Sequence, residues 1–287
     1  MPGSYLVETD WLAARLDAPD LVVLDGSWHL PTAKRDPRAE YDAEHIPGAI
    51  FFDIDGISDK SSSLPHMLPS TVDFASRMKK MGIGDGMRVV VYDTVGMFSA
   101  ARVWWMFRVM GHEDVVILNG GLPKWKAEGR PVTSEATAPR TERHFTPRFN
   151  AGLVRDLEDM KRLVASGGAQ IADARGPGRF SGAEKEPRQG LRSGHMPGAR
   201  NVHYATLLNA DGTFKSPAEL HKAFEAAGVD PSKPVVTTCG SGVTASIVSL
   251  ALALLGHPGS GLYDGSWTEW GQEGIGTEVA TGAAARV

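Results

Sequence analysis

The chain has 287 residues, of which 42% are hydrophobic and 22% are charged, and it carries a net charge of −4 at neutral pH. This length suits two domains that each bury a core, whereas the acidic balance argues against a nucleic-acid surface. No apolar run reaches the roughly 18 residues of a membrane span, and the first residues lack the pattern of a secretory signal peptide.

Short apolar runs alternate with helical patterns along the chain. Helices are predicted at residues 10–16, 72–81 and 99–110, and again at 153–165, 217–227 and 244–255. The runs at 22–25 and 89–92 are apolar on both faces, as buried parallel strands are. Glycines at 82, 111, 228 and 256 follow helical stretches, where a left-handed residue is expected. The alternation predicts an α/β fold with a central, mostly parallel sheet flanked by helices in each half.

An internal repeat with a period of roughly 145 residues divides the chain into two halves, which is far too long for a solenoid. The matching pairs are residues 21–25 and 170–173, 42–50 and 192–200, 89–93 and 235–239, 111–112 and 256–257, and 119–125 and 264–270. The repeat predicts a duplicated domain. We place an N-terminal domain at residues 1–135, a linker at 136–150 and a C-terminal domain at 151–287.

The single cysteine, Cys239, ends an apolar run and is followed by a Gly-rich turn and a helical pattern. A strand, tight loop and helix in this order would direct backbone N–H groups and a helix N-terminus at the sulfur, which stabilises a thiolate. A buried, inert thiol is the alternative. The first half has Asp93 at the corresponding position, so thiol chemistry is predicted only for the second half. A lone cysteine also favours a reducing compartment, and we expect a cytoplasmic protein.

These landmarks together resemble the rhodanese family of sulfurtransferases over essentially the whole chain. The resemblance implies two tandem rhodanese-like domains, with an inactive first domain and the catalytic Cys239 in the second. The segment 239–244, Cys-Gly-Ser-Gly-Val-Thr, is similar to the 3-mercaptopyruvate sulfurtransferase branch. The thiosulfate branch usually has Arg and Lys at the places of Gly240 and Ser241. The implied reaction moves sulfur from 3-mercaptopyruvate through a Cys239 persulfide to a thiol or cyanide, and releases pyruvate.

The uncharged residues at 240 and 241 have a chemical meaning. Thiosulfate is a compact dianion that cationic loop residues would hold. Mercaptopyruvate carries its carboxylate away from the transferred sulfur, so it suits planar arginine donors at a distance. The stretch 178–188 is similar to the substrate-binding segment of the family. The resemblance implies substrate contacts from Arg179, Arg188, Gly240, Gly242, Val243 and Thr244.

Departing pyruvate is an enolate and must take up a proton. The resemblance suggests a relay in which Ser241, in the cysteine loop, works with His66 and Asp55 of the first domain. The active site would then lie in a cleft between the domains, a common place for ligands. His45 and His195 recur in both halves, including the half without the thiol, so a structural role is expected for them.

The remaining expectations concern partners and alternatives. The resemblance implies no metal and no organic cofactor, and points to thioredoxin or a small thiol as the sulfur acceptor; we expect a monomer. The alternatives are a thiosulfate sulfurtransferase of the same fold and a non-catalytic regulatory or binding module. A cysteine-dependent phosphatase would need an arginine six residues after Cys239, where the chain has Ala245.

Overall fold

A computed structural model describes residues 5–283, which divide into two compact units. The first unit contains the chain up to Lys60, Leu68–Asn150 and Asn209–Phe214; the second contains Ser61–Met67, Ala151–Leu208 and the chain from Lys215 onward. The segment 61–67 thus belongs to the second unit, although the sequence repeat places it in the first half. Within residues 5–283, every helix is too short or too polar to cross a bilayer.

The first unit is built on a five-stranded sheet in the order β1-β5-β4-β2-β3, with every pairing parallel. Its strands are β1 (Leu6–Val7), β2 (Leu21–Asp25), β3 (Ile50–Phe51), β4 (Arg88–Tyr92) and β5 (Val115–Leu118). Its helices are α1 (Thr9–Ala13), α2 (Pro37–Ala43), α3 (Ile54–Ile57), α4 (Thr71–Lys80), α5 (Ala100–Val109) and α6 (Gly121–Ala127). The central strands β2 and β4 are buried almost throughout, as their unbroken apolar runs predict.

The second unit repeats this arrangement, with five parallel strands in the order β6-β10-β9-β7-β8. Its strands are β6 (Val154–Arg155), β7 (Gln170–Asp173), β8 (Arg200–Asn201), β9 (Val235–Thr238) and β10 (Gly261–Tyr263). Its helices are α7 (Leu157–Ser166), α8 (Pro177–Ser181), α9 (Pro217–Ala226), α10 (Ala245–Leu254) and α11 (Ser266–Trp270). The two strand orders differ only by a shift of five in the numbering. The predicted α/β fold with a parallel sheet in each half is confirmed.

Residues 136–150, predicted as a linker, form no helix or strand and pack on the first unit. Two glycines make this close approach possible. A Cβ atom on Gly82 would overlap Arg140, and one on Gly111 would overlap Arg148. Both glycines also have positive φ, 70° and 81°, as their positions after helices predict. Phe145 anchors the segment by burying its ring.

The two units differ at the carboxyl ends of β2 and β7, where the aspartates Asp25 and Asp173 occupy matching positions. Asp173 pairs with Arg175, whereas the corresponding residue in the first unit is Ser27. Asp25 Oδ1 accepts a hydrogen bond from the Ser27 backbone N–H (2.9 Å), and the Tyr92 hydroxyl lies near the same carboxyl group. Burial raises the pKa of Asp25 from 3.8 to about 6, against a smaller lowering by the Ser27 hydrogen bond. The first unit thus holds a carboxyl group that keeps its proton to a higher pH than a free aspartate does.

This raised pKa predicts an unusual pH dependence for the first unit. Because the folded state holds the Asp25 proton more tightly than the unfolded state, stability is lost as pH rises from about 4 to about 7, by at most about 3 kcal/mol. Asp25→Asn should therefore unfold at higher urea concentration than wild type at pH 7.5, with an advantage that shrinks toward pH 4. Urea midpoints across this range test it, with the exposed Asp17→Asn as the matched control. A variant with the wild-type pH dependence would contradict the assignment.

Candidate active site

Cys239 lies directly after the central strand β9 of the second unit and is buried. The β-branched residues of β9 favour a strand, and Gly242, with φ of 79°, allows the loop to turn sharply. Helix α10 then begins at Ala245, and its side chains from Ala245 to Ala253 are all buried. A helix that is apolar on every face is buried in this way. The predicted strand, loop and helix are thus present, with the sulfur at the base of the loop.

The cysteine loop is anchored from one side by helix α11. The Cys239 backbone N–H donates to Ser266 Oγ (3.3 Å). In return, the Cys239 carbonyl accepts from the Trp267 N–H (3.0 Å), and the Gly240 carbonyl accepts from the Thr268 N–H (2.9 Å). The repeated segment 264–270 therefore fixes the backbone on which the thiol stands.

The first unit shows what the same loop geometry does around an anion. Asp93 follows β4 as Cys239 follows β9, and its buried carboxylate accepts five backbone hydrogen bonds of 2.7–2.9 Å. The donors are the N–H groups of Val95, Gly96, Phe98, Ser99 and Ala100. The turn from this strand into this helix thus gathers N–H groups on a single negative group. By the repeat, the N–H groups after Cys239 are expected to face a thiolate.

Arg179, on helix α8, lies against the cysteine loop. Its Nη2 is 2.8 Å from the position that a Cβ on Gly240 would occupy. Its side chain is 20% exposed, and it forms an ion pair with Glu186 (Nη2 to Oε2, 2.5 Å). A guanidinium group therefore stands directly beside the loop, where Gly240 has no side chain.

Behind Arg179 lies a buried set of charges that sequence reasoning missed. Glu186 also pairs with Arg175 (2.8 Å), and Arg175 pairs with Asp173 (2.6 Å) at the end of β7. Arg175 also donates to the Gly194 carbonyl and lies 4.2 Å from the ring centroid of Trp267. Burial by itself lowers the pKa of Arg175, but the two carboxylates outweigh it and raise that pKa. Because the Arg175 guanidinium is always charged, it remains available to pair with Glu186.

His66 and Arg188 come together in the second unit. Arg188 Nη2 lies 3.4 Å from His66 Nε2. Because arginine only donates hydrogen bonds, any hydrogen bond in this contact runs from the Arg188 N–H to Nε2 of the ring. His66 is buried and has a φ of 60°, which is uncommon for a residue other than glycine.

The other members of the expected relay have the following surroundings. Ser241 is buried in the cysteine loop. Asp55 lies in helix α3 of the first unit, where its Oδ2 accepts a hydrogen bond from Trp28 Nε1 (2.9 Å). The connection from Ser241 through His66 to Asp55 stays a prediction.

His45 and His195 have matching surroundings, as the repeat predicts for structural residues. In each ring the Nδ1–H donates to a backbone carbonyl, that of Tyr41 (2.7 Å) for His45 and that of Phe180 (2.9 Å) for His195. Each also stacks on the ring of that same residue. Both imidazoles thus stabilise turns of their own unit.

Comparison with known proteins agrees with this geometry. The family description of the rhodanese-like domain matches residues 8–128 and again 156–273. Human 3-mercaptopyruvate sulfurtransferase is 44% identical over 271 residues, 92% of this chain and 91% of the human protein. Bovine thiosulfate sulfurtransferase is 45% identical over 272 residues, with the same two coverages. The crystal structure of SseA from Escherichia coli, described as a 3-mercaptopyruvate sulfotransferase, has a TM-score of 0.84 at 41% identity and covers 93% of this chain and 100% of that one.

Proposed function

This chain belongs to the rhodanese family, and we propose that it transfers the sulfur of 3-mercaptopyruvate through a Cys239 persulfide to a thiol acceptor or to cyanide, releasing pyruvate. Relatives named for 3-mercaptopyruvate and for thiosulfate are similar to the chain to nearly the same degree. The observation that carries the proposal is therefore local. It is the position of Arg179 against Gly240, beside the buried Cys239.

The Arg179 position favours an α-keto carboxylate over thiosulfate. A long cationic side chain at position 240 could not occupy the space that the Arg179 guanidinium takes. The loop supplies no positive side chain of its own, since residues 240 and 241 are glycine and serine. Planar donors of Arg179, together with Arg188, suit a carboxylate and keto oxygen set back from the sulfur. The backbone of Gly240, Gly242, Val243 and Thr244 would line the other side.

In the first half-reaction, the Cys239 thiolate attacks the sulfur of 3-mercaptopyruvate. A sulfur–sulfur bond forms, the carbon–sulfur bond breaks, and its electron pair stays on the substrate carbon as the enolate of pyruvate. The arginines hold the carboxylate and keto oxygen while negative charge develops there. A proton delivered through Ser241 and His66, with Asp55 orienting the imidazole, converts the enolate to pyruvate.

In the second half-reaction, an acceptor thiolate attacks the outer sulfur of the persulfide and regenerates the Cys239 thiolate. Thioredoxin or a small thiol is the proposed acceptor, and the protein is proposed to act as a cytoplasmic monomer. Support for that compartment comes from the single cysteine, whose thiolate must stay reduced between turnovers. The reaction as written balances without a metal or an organic cofactor.

The donor preference tests the proposal directly. With cyanide as acceptor, kcat/KM for 3-mercaptopyruvate should exceed that for thiosulfate by at least about tenfold, equivalent to about 1.4 kcal/mol. The double variant Gly240→Arg, Ser241→Lys should shift this ratio toward thiosulfate, because it adds charge to the loop and displaces Arg179. A wild-type protein that prefers thiosulfate would move the chain to the other branch of the family.

The nucleophile can be tested without an acceptor. Incubation with 3-mercaptopyruvate alone should add the mass of one sulfur atom to the wild-type protein. Cys239→Ser should gain no mass and lose turnover, since a serine hydroxyl is not ionised at neutral pH and cannot form a persulfide. Intact-mass spectrometry and steady-state rates give the two readouts, with thermal unfolding as the control for the fold. Sulfur uptake by the serine variant would rule out Cys239.

The proton relay predicts a change in rate rather than in binding. His66→Ala should lower kcat more than it raises KM, because protonation of the enolate matters mainly in the transition state. Ser241→Ala should lower kcat at least as much, and Asp55→Asn less. His203, which lies in the second unit and is not assigned to the site, provides the control His203→Ala. A His66→Ala enzyme with normal kcat would exclude the relay and leave the role of Cys239 intact.

A further inference from the structure

We propose that Glu186 is a positioning residue: its carboxylate sets the direction of the Arg179 guanidinium, so that the remaining N–H donors of Arg179 are presented to the substrate beside the cysteine loop. Gly240 keeps those donors available by having no side chain. This inference rests on the proposed function, because it names how that site aims its anion-binding arginine.

The geometry of the Arg179–Glu186 pair determines which donors remain. Glu186 Oε2 accepts from Arg179 Nη2 (2.5 Å), and Oε1 lies 3.3 Å from Arg179 Nε. A guanidinium has five N–H donors, and this side-on pairing uses one on Nε and one on Nη2. The two donors of Nη1 and the second donor of Nη2 are left over. Since Nη2 also lies nearest to Gly240, these donors are on the loop side of the pair.

Glu186 can orient Arg179 because it is itself held. Its side chain is 2% exposed, and Oε1 also accepts from Arg175 Nη1 (2.8 Å). Arg175 is fixed in turn by both carboxylate oxygens of Asp173 and by the face of Trp267. An isolated buried carboxylate would be costly, and two guanidinium partners compensate its charge. A continuous set of ion pairs therefore connects Arg179 to Asp173 at the end of strand β7.

The first unit provides an internal comparison for this pair. Arg35 contacts Glu40 in the same side-on manner, through Nε (2.6 Å) and Nη2 (2.8 Å). Thr94 follows Asp93 as Gly240 follows Cys239. The Thr94 hydroxyl donates to Glu40 Oε2 (3.1 Å) and lies 3.3 Å from Arg35 Nη2, from which it accepts.

The comparison shows what a side chain at this loop position does. In the half that has no thiol, the Thr94 hydroxyl accepts a hydrogen bond from Arg35, and the Arg35 side chain is 41% exposed. In the half with Cys239, the corresponding position is glycine, and Arg179 is 20% exposed. Arg35 thus gives an N–H to the loop residue as well as to its glutamate, whereas Arg179 pairs with Glu186 and meets a glycine in the loop.

The test is the kinetics of Glu186→Gln, with Glu184→Gln as the matched control in the same segment. Glutamine keeps the shape but has one acceptor oxygen for two arginines and no charge. We expect KM for 3-mercaptopyruvate to rise at least about tenfold while kcat falls less than about threefold. The reason is that the substrate makes this charge-assisted contact both in the ground state and in the transition state. The control should match wild type. An unchanged KM in a folded Glu186→Gln enzyme would overturn the proposal.

Two further measurements separate positioning from general stability. Combining Glu186→Gln with Arg179→Lys should raise KM less than the product of the single effects, because both act through one guanidinium. Fully multiplicative effects would contradict the proposal. Gly240→Thr should reproduce the arrangement of the first unit and raise KM with an unchanged melting temperature; if Glu186→Gln does not fold, a normal KM in this variant overturns the inference. Wild-type donor preference tests the proposed function separately, since the Glu186 effect is read as a ratio to wild type.

Discussion

The constraint on which both halves depend is the turn from the central strand into the following helix. Every residue except proline keeps its backbone N–H whatever its side chain, so a turn that buries several of these groups needs an acceptor for them. Asp93 provides one permanently in the first unit, with five hydrogen bonds to its carboxylate. In the second unit the same position is Cys239, whose charge depends on ionisation of the thiol. One backbone geometry thus holds a carboxylate in the first unit and the proposed nucleophile in the second.

The supports of this turn explain why separated segments recur in the sequence. Helix α11 holds the backbone of Cys239 and Gly240, and its Trp267 also underlies Arg175. Arg175 links the end of β7 to Glu186, and Glu186 links to Arg179. Three parts of the second unit therefore meet at the carboxyl edge of its sheet. They are the end of β7, the loop after β9, and helix α11, which follows β10. Ligand sites of open parallel sheets lie at this edge.

Local patterns allowed much of this to be predicted from the sequence. The apolar runs of β2 and β4, the glycines after helices and the lone Cys239 each carry a signal within a few residues. The buried ion pairs carry no such signal. Arg175 and Glu186 lie in a polar stretch of the sequence, and only the fold buries them. The contrast between Asp25 and Asp173 was missed for the same reason, although the repeat aligns the two residues. The grouping of residues 61–67 with the second unit depends on tertiary contacts that no periodicity records.

The carboxylate of Asp93 has a consequence for any exchange of the two loops. Five N–H groups share the two oxygens of this carboxylate, and a hydrogen bond to a charged group contributes about 1.5–3 kcal/mol. A cysteine at position 93 would offer these groups one sulfur in place of two oxygens, and the Thr94 hydroxyl would still bond to Arg35 and Glu40 beside it. Placing a thiol in the first unit therefore requires more than one substitution, because the aspartate there is part of what keeps the unit folded.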